Sequence, residues 1–424
     1  MFNTLYWINA IFMSVVSVIY FNQIFNLIVS IFTKVKKYED AKESHNYAYL
    51  ICARNEEGVI GDLVNSIYSQ DYPKELMHVF VVADNSLDAT AINAKNAGAI
   101  VFERTDKEFV GKSYAMDWAL NKIINEYSDL KIEAFIILDA DNLVDKDFTK
   151  EMNKAFDYAI NNKKTKVITG FRSSKNFKAS WISADSSYLQ LREARQMHHS
   201  RSALGVGTYV SGTGYLVDYD VIKNQGGWPY HTLVEDIEIS TDLTTKGEKI
   251  LFCEDAIFYD EQPTTLKYSW RQRMRWCRGT HQVFKRYFFK LLKSLLKKPT
   301  LTKWGMLVHI LPLPALSFLW VLVYMFIGGL YSIIYNVPFI DYFNGCMLFA
   351  LMDIAGSLAL AFLVGIVAMI EEWKKIDASW FLKILYLITF PIFMGLYLPI
   401  TTFALFVRVR WKEIKHVNYD KKKA

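Results

Sequence analysis

Residues 134–145 read AFIILDADNLVD, an apolar run that stops on two carboxylates with one alanine between them. A short continuous apolar run reads as a strand buried on both faces, and such strands belong to mostly parallel sheets. Residues two apart on a strand point to the same face, so Asp139 and Asp141 should project together where the strand gives way to a loop. Two anions that close repel unless a cation lies between them, and hard oxygen ligands suit Mg²⁺ or Mn²⁺. An Asp-x-Asp at a strand end is also often only a turn with a helix cap, so the triplet alone decides nothing.

The surrounding pattern repeats the motif. YAYLICA (47–53), HVFVVAD (78–84) and AIVFER (99–104) are further apolar runs, and the stretches 59–70, 88–99 and 111–127 between them have helical spacing or helix-start signals. Strands alternating with helices imply an α/β unit with a mostly parallel sheet covered on both sides, and ligands bind beyond the carboxyl ends of its strands. Polar residues gather at those ends: Arg54, Asn55, Glu56 and Glu57, then Asp84 and Asn85, then Asp139 and Asp141. There is no Gly-x-Gly-x-x-Gly and no Walker motif, which argues against a dinucleotide site. VGKSY (110–114) looks like the tail of a Walker sequence, but Asp106 stands where the first glycine belongs; Lys112 is still placed to meet a phosphate.

The chain has 424 residues, 52% of them hydrophobic, and the excess gathers at its two ends. Residues 5–32, 304–335, 342–370 and 380–407 are each long enough to cross a bilayer at roughly 20 residues per span. KVKK (34–37) follows the first, so the positive-inside rule puts the next domain in the cytoplasm of a multi-pass plasma-membrane protein. A fourth full crossing would export the basic tail, and Pro391 and Pro399 can break the last segment, so its crossing stays open. The formal charge of +6 is concentrated beside the apolar segments, which points to membrane lipid and not to nucleic acid. The four cysteines show no Cys-x-x-Cys spacing, so neither zinc nor a disulfide framework is expected. HQVFKRYFFKLLKSLLKK, after Gly279, has an apolar side and a basic one and reads as an interfacial amphipathic helix. The expected divisions are an anchor at 1–37, a cytoplasmic domain at 38–279, an interfacial helix at 280–300, a membrane region at 301–410 and a basic tail at 411–424.

Three more stretches follow in the second half: VSGTGYLV (210–217), LVEDIEIS (233–240) and QRMRWCRG (272–279). With Asp84 and the Asp-x-Asp, this order resembles the membrane-integrated family 2 glycosyltransferases, which include cellulose, hyaluronan and poly-N-acetylglucosamine synthases. The resemblance implies a GT-A-like (Rossmann-like) mixed sheet flanked by transmembrane helices, a UDP-sugar donor and a divalent ion, Mg²⁺ or Mn²⁺. It makes Asp84 the nucleotide aspartate, Asp139 and Asp141 the metal ligands, and Asp236 the catalytic base. Gln272, Arg275 and Trp276 match the family's Gln-x-x-Arg-Trp in full, whereas Val234 replaces a threonine in the base motif. Glu56, Lys112, Asp139 and Arg275 are the further residues expected around the nucleotide-sugar. Gly212, Thr213, Glu235, Gln272 and Trp276 are those expected around the acceptor, although SGTGY reads equally as a tight turn.

Plainer readings exist. VEDIEIS is also a good helix start, its acids favouring the positive end of the dipole, and QRMRW a basic helix with its Trp at headgroup level. His198 and His199 tempt as metal ligands, but adjacent residues on a helix diverge. The activity implied is inverting, processive polymerisation of a sugar from UDP-glucose or UDP-N-acetylglucosamine into a β-linked polysaccharide, with coupled translocation. The alternative is a single sugar added to a membrane lipid, so the acceptor is a growing glycan or a lipid.

Overall fold

A computed structural model describes residues 2–34, 36–162, 166–336 and 338–409. Among the described residues, eight strands form one sheet: β1 (Tyr47–Ala53), β2 (Met77–Asp84), β3 (Ile100–Arg104), β4 (Ala134–Asp139), β5 (Leu143–Val144), β6 (Val167–Ser174), β7 (Tyr215–Asp218) and β8 (Leu251–Asp260). Their order is β3-β2-β1-β4-β7-β6-β8-β5. The first half is parallel, with β1 between β2 and β4 and β3 outside β2. β7 then enters antiparallel between β4 and β6, and β8 runs parallel to β6. β1, β2, β3, β4, β6 and β8 therefore all end at one edge of a mixed sheet.

Both faces are covered, as the unbroken apolar runs require. Tyr47, Tyr49 and Ile51 of β1 enter one core beneath the helices Ile60–Tyr68 and Phe148–Asn161. Ala48 and Leu50 enter a second core beneath the helices Lys112–Glu126 and Glu235–Lys246.

One expectation about the opening stretch is corrected. β4 stops at Asp139, and Asp141 lies beyond it in a turn closed by the Asn142 N–H donating to the Asp139 carbonyl at 3.1 Å. The acids are therefore not equivalent strand neighbours: the Asp139 side chain is 37% exposed, whereas Asp141 is 8% exposed.

Among the described residues, four helical segments are long and apolar enough to cross a membrane: Ala10–Phe32, Leu313–Ile334, Ile354–Glu371 and Trp380–Phe406. The stretch read as one span at 304–335 is two helices, Leu301–Ile310 and Leu313–Ile334, divided at Pro312. The first belongs to the domain, because Met306, Leu307 and Ile310 are buried against Tyr209, Val234 and Val283. The last segment is likewise divided, into Trp380–Gly395 and Tyr397–Phe406. The division falls at Leu396; Pro391 stays inside the first helix, and Pro399 sits in the first turn of the second, where no backbone N–H is needed. Residues 411–424, the expected tail, lie outside the described residues.

A single helix, Leu266–Lys297, carries both QRMRW and the amphipathic stretch, so the division drawn at 279/280 runs through its middle. Val283, Tyr287 and Leu291 on its apolar side are buried against protein, while Phe289 and Leu296 remain exposed.

Candidate active site

The shared strand edge collects charge. Asp84 ends β2, Arg104 ends β3, Asp139 ends β4, Arg172 lies near the end of β6 and Asp260 ends β8. Arg104 binds Asp84 at 2.6 Å, Asp106 at 2.8 Å and the Phe109 carbonyl at 2.7 Å, and Asp84 and Arg104 are both buried. Glu56 lies in the loop after β1; its carbonyl accepts from Val59 and Ile60, and its N–H donates to Thr90 Oγ1 at 2.8 Å. The loops after β1 and β2 are thereby tied together.

Lys112, the first residue of its helix, stands at the centre. Its Nζ is 2.6 Å from Asp139 Oδ1 and 3.4 Å from Glu235 Oε1, and it donates to the Gly212 carbonyl at 2.9 Å. Burial opposes its charge, but Asp139 and Glu235 outweigh that and hold the ammonium above its usual range. The Cys52 thiol under this group is pushed up by burial first, and Lys112, Asp84, Asp139 and Glu235 all act on it electrostatically. Asp84 and Lys112 thus both lie within electrostatic reach of Cys52.

VEDIEIS is the helix start that its acids favour, and each acid has its own partner. Glu235 faces Lys112, and Glu238 is buried and bound by Arg286 at 2.7 Å and by the Thr232 N–H at 2.9 Å. Asp236 is 8% exposed. Its carboxyl is pushed up to about 7, by burial first and by Glu235 second, against the Ile237 and Gly212 N–H groups and Lys112. Val234, in place of threonine, is the residue before this helix and supplies no side-chain cap. Its methyls occupy a close crossing: a Cβ on Gly279 would come within 2.7 Å of them, so the long helix can approach only through a glycine.

SGTGY is both a tight turn and a loop that reaches the site. Thr213 N–H donates back to the Ser211 carbonyl at 2.9 Å, while Gly212 presents its carbonyl to Lys112 and lies beside Asp236, whose Oδ2 is 3.9 Å from where a Gly212 Cβ would stand. The Thr213 hydroxyl accepts from the Asp139 N–H at 2.8 Å and donates to Asn142 Oδ1 at 2.6 Å. Gly214 has φ 65°, and a Cβ there would run into the Phe258 ring.

Gln272, Arg275 and Trp276 all stand on the long helix. Arg275 donates to the Leu233 carbonyl at 3.1 Å, and Trp276 packs with Tyr209, Val234 and Ile237. The same helix binds Leu233 N–H through Gln282 at 3.0 Å and the Thr245 carbonyl through Ser294 at 2.7 Å. On its other side Arg273 and Arg278 donate to the carbonyls of Phe393, Ala404 and Leu405 in the last apolar segment. It joins the helix of Asp236 to the membrane segments.

His198 and His199 diverge, His198 to Thr208 Oγ1 at 2.5 Å and His199 to Glu254 at 2.6 Å. Among the described residues no three His, Cys, Asp or Glu side chains converge as a ready metal cage. Asp141 accepts from the Glu261 N–H at 3.1 Å and the Asn142 amide at 3.3 Å. A Mg²⁺-type ion uses one or two carboxylates and fills its other positions with substrate phosphate and water. Asp139 and Asp141 fit such an ion in that role.

Three residues of this edge went unread in the sequence: Arg104, Arg172 and Asp260. Arg172 is paired with Asp260 through both Nε and Nη2, with Nε at 2.7 Å, and Nη1 reaches the Ser211 carbonyl at 3.4 Å. Burial raises the Asp260 carboxyl, Arg172 opposes this, and Asp141 adds to it. The available signal was the one that found Asp84 and Asp139: VITGFR and LFCEDAIFYD are apolar runs ending in charge.

The sequence profile described as "Glycosyltransferase like family 2" matches residues 45–279. The chain belongs to that family. This family 2 glycosyltransferase is 28% identical over 281 residues to the probable glycosyltransferase YdaM of Bacillus subtilis (strain 168), covering 60% of this chain and 61% of that protein. It is 26% identical over 255 residues to the poly-beta-1,6-N-acetyl-D-glucosamine synthase of Staphylococcus aureus (strain MSSA476), covering 59% and 58%. The chain thus spans about three fifths of the length of these curated relatives. In fold it is similar to the mannosyltransferase PcManGT from Pyrobaculum calidifontis, with a TM-score of 0.52, 15% identity and coverage of 93% of this chain and 94% of that one.

Proposed function

We propose that this enzyme is an inverting, processive glycosyltransferase that extends a β-linked polysaccharide from UDP-glucose or UDP-N-acetylglucosamine. Its catalytic domain would face the cytoplasm from the plasma membrane, and the product would be passed into or across the bilayer. The observation that carries this reading is the buried Asp236 carboxylate beside a lysine bound to Asp139, on a helix that Leu266–Lys297 links to the apolar segments. The resemblance to the poly-N-acetylglucosamine synthase supports the polymer, and the mannosyltransferase of like fold is described in complex with GDP-Man and Mn²⁺.

The proposed chemistry assigns each group one task. Asp139 and Asp141 would hold a divalent ion, which when bound would neutralise the donor's diphosphate. Asp84 would take the nucleotide, with Glu56 in the neighbouring loop, and Lys112 would turn from Asp139 towards phosphate. Arg275 would add a second cation on the donor side. The acceptor hydroxyl would give its proton to Asp236 as its oxygen bonds to the anomeric carbon, while the bond from that carbon to the diphosphate oxygen breaks. Direct attack inverts the anomeric centre. Gly212, Thr213, Glu235, Gln272 and Trp276 would line the acceptor side.

The test is to incubate nanodisc-embedded protein with Mn²⁺ or Mg²⁺ and radiolabelled UDP-glucose or UDP-N-acetylglucosamine, then size the product. Growing chains from one donor are expected. A single labelled lipid of fixed size would overturn the polymer reading in favour of glycolipid synthesis.

A further inference from the structure

Gly212 touches the base and the lysine together, so what holds Gly212 decides the geometry of both. The preceding residue, Ser211, donates its hydroxyl to Glu193 Oε2 at 2.9 Å, and Tyr209 donates its own to Glu193 Oε1 at 2.8 Å. Both oxygens of one carboxylate thus grip the strand entering the turn at positions 209 and 211. Arg172 holds the Ser211 carbonyl from the sheet side, and the Val210 N–H donates to Ser240 Oγ at 2.9 Å.

Glu193 itself stands on an unusual platform. It opens a π-helical turn, Glu193–His199, that interrupts the course of the helix Trp181–Arg192. Single π-turns within helices cost regular hydrogen bonding and concentrate at functional sites. This one is fixed from outside: Arg195 binds Glu254 at 2.9 Å and lies 3.5 Å from Glu371, at the end of the helix Phe339–Glu371, and His199 binds Glu254 at 2.6 Å.

We infer that Glu193 is a positioning residue for the transfer reaction: by gripping Ser211 and Tyr209 it sets the Gly212 amide against Asp236 and the Gly212 carbonyl against Lys112. It does not touch the reacting atoms. The inference rests on the assignment of Asp236 as base. Its physical content is that the Gly212 N–H, held in place, stabilises the ionised base and keeps it from rising further in a dry site. The other groups facing Asp236 are Glu235 on its own helix, Lys112, and Tyr215 of β7, with Arg172 close by as well: the point a Gly212 Cβ would occupy is 3.6 Å from Arg172 Nη1 and 3.9 Å from Asp236 Oδ2.

The decisive variant is Ser211→Ala, which cuts the tether without altering a charge. Its kcat should fall by about tenfold through misplacement, and the acid limb of its kcat/KM profile should move up by about half a pH unit as the Gly212 peptide drifts from Asp236. Glu193→Gln is the second variant. It removes a charge as well, and its kcat should fall with the donor KM within about twofold of wild type. A fall in rate with the wild-type pH profile in Ser211→Ala would make the contact structural only and overturn the inference, as would unchanged kinetics in both variants. If Ser211→Ala does not fold, an undiminished kcat in Glu193→Gln overturns it. Transfer that survives Asp236→Asn would be a different failure, that of the base assignment itself.

Discussion

Replacing Asp236 by asparagine should destroy transfer and stabilise the protein, and the stabilisation should depend on pH in one direction. The Asp236 carboxyl rises from an ordinary 3.8 to about 7 in the folded protein, chiefly because it is buried beside Glu235. The folded state therefore prefers the protonated acid, whereas the unfolded chain ionises above its ordinary value. This group favours folding most below 3.8, and that advantage is lost as pH climbs towards 7. At 1.36 kcal/mol per unit, the wild-type acid costs about 4 kcal/mol at pH 8, about 2 kcal/mol at pH 5 and under about 1 kcal/mol at pH 4. Asparagine keeps the shape and has nothing to ionise, so Asp236→Asn should outlast wild type at pH 8 and lose most of that margin towards pH 4. Thermal melts of detergent-purified protein read this at roughly 2–4 °C per kcal/mol for a domain of this size. In the wild type, kcat/KM should fall tenfold per pH unit below about 7. Equal melting differences at both pH values would refute the buried, burdened carboxylate, and residual transfer in the variant would refute its role as base.

Chelation should abolish transfer and Mn²⁺ or Mg²⁺ should restore it, with Asp141→Asn raising the metal concentration needed by about tenfold or more, measured by titration of donor turnover. Gly279→Ala should destabilise by about 1–3 kcal/mol, since its Cβ would meet the Val234 methyls at 2.7 Å. Adding Val234→Ala should restore part of this and not all, because the Val234 backbone nitrogen stays 2.9 Å away; a double-mutant cycle on melting reads the coupling. Arg104→Met should cost about 3–5 kcal/mol by leaving the buried Asp84 unpaired, and Arg104→Met with Asp84→Asn should cost less. If the single and double variants melt alike, the pair contributes no such penalty.

The alternation of apolar runs and helical stretches from Tyr47 to Asp139 determined the parallel half of the sheet, because burial on both faces leaves a pattern that survives without partners. Charges at the ends of those runs marked Asp84 and Asp139 for the same reason: a strand too apolar to carry a charge delivers it at its end. Only the tertiary structure decided how Asp139 and Asp141 differ, since a turn and not strand periodicity places the second acid. It alone brought Glu235 and Gly212 onto Lys112 across a hundred residues of chain or more, and it alone exposed Arg172 and Asp260 on the same edge and Glu193 behind it. Those placements depend on β7 entering antiparallel and on a glycine allowing two helices to cross at Val234. Local sequence records the propensity of each element; the partner of a side chain is set by packing between elements far apart in the chain, where no short-range pattern reaches.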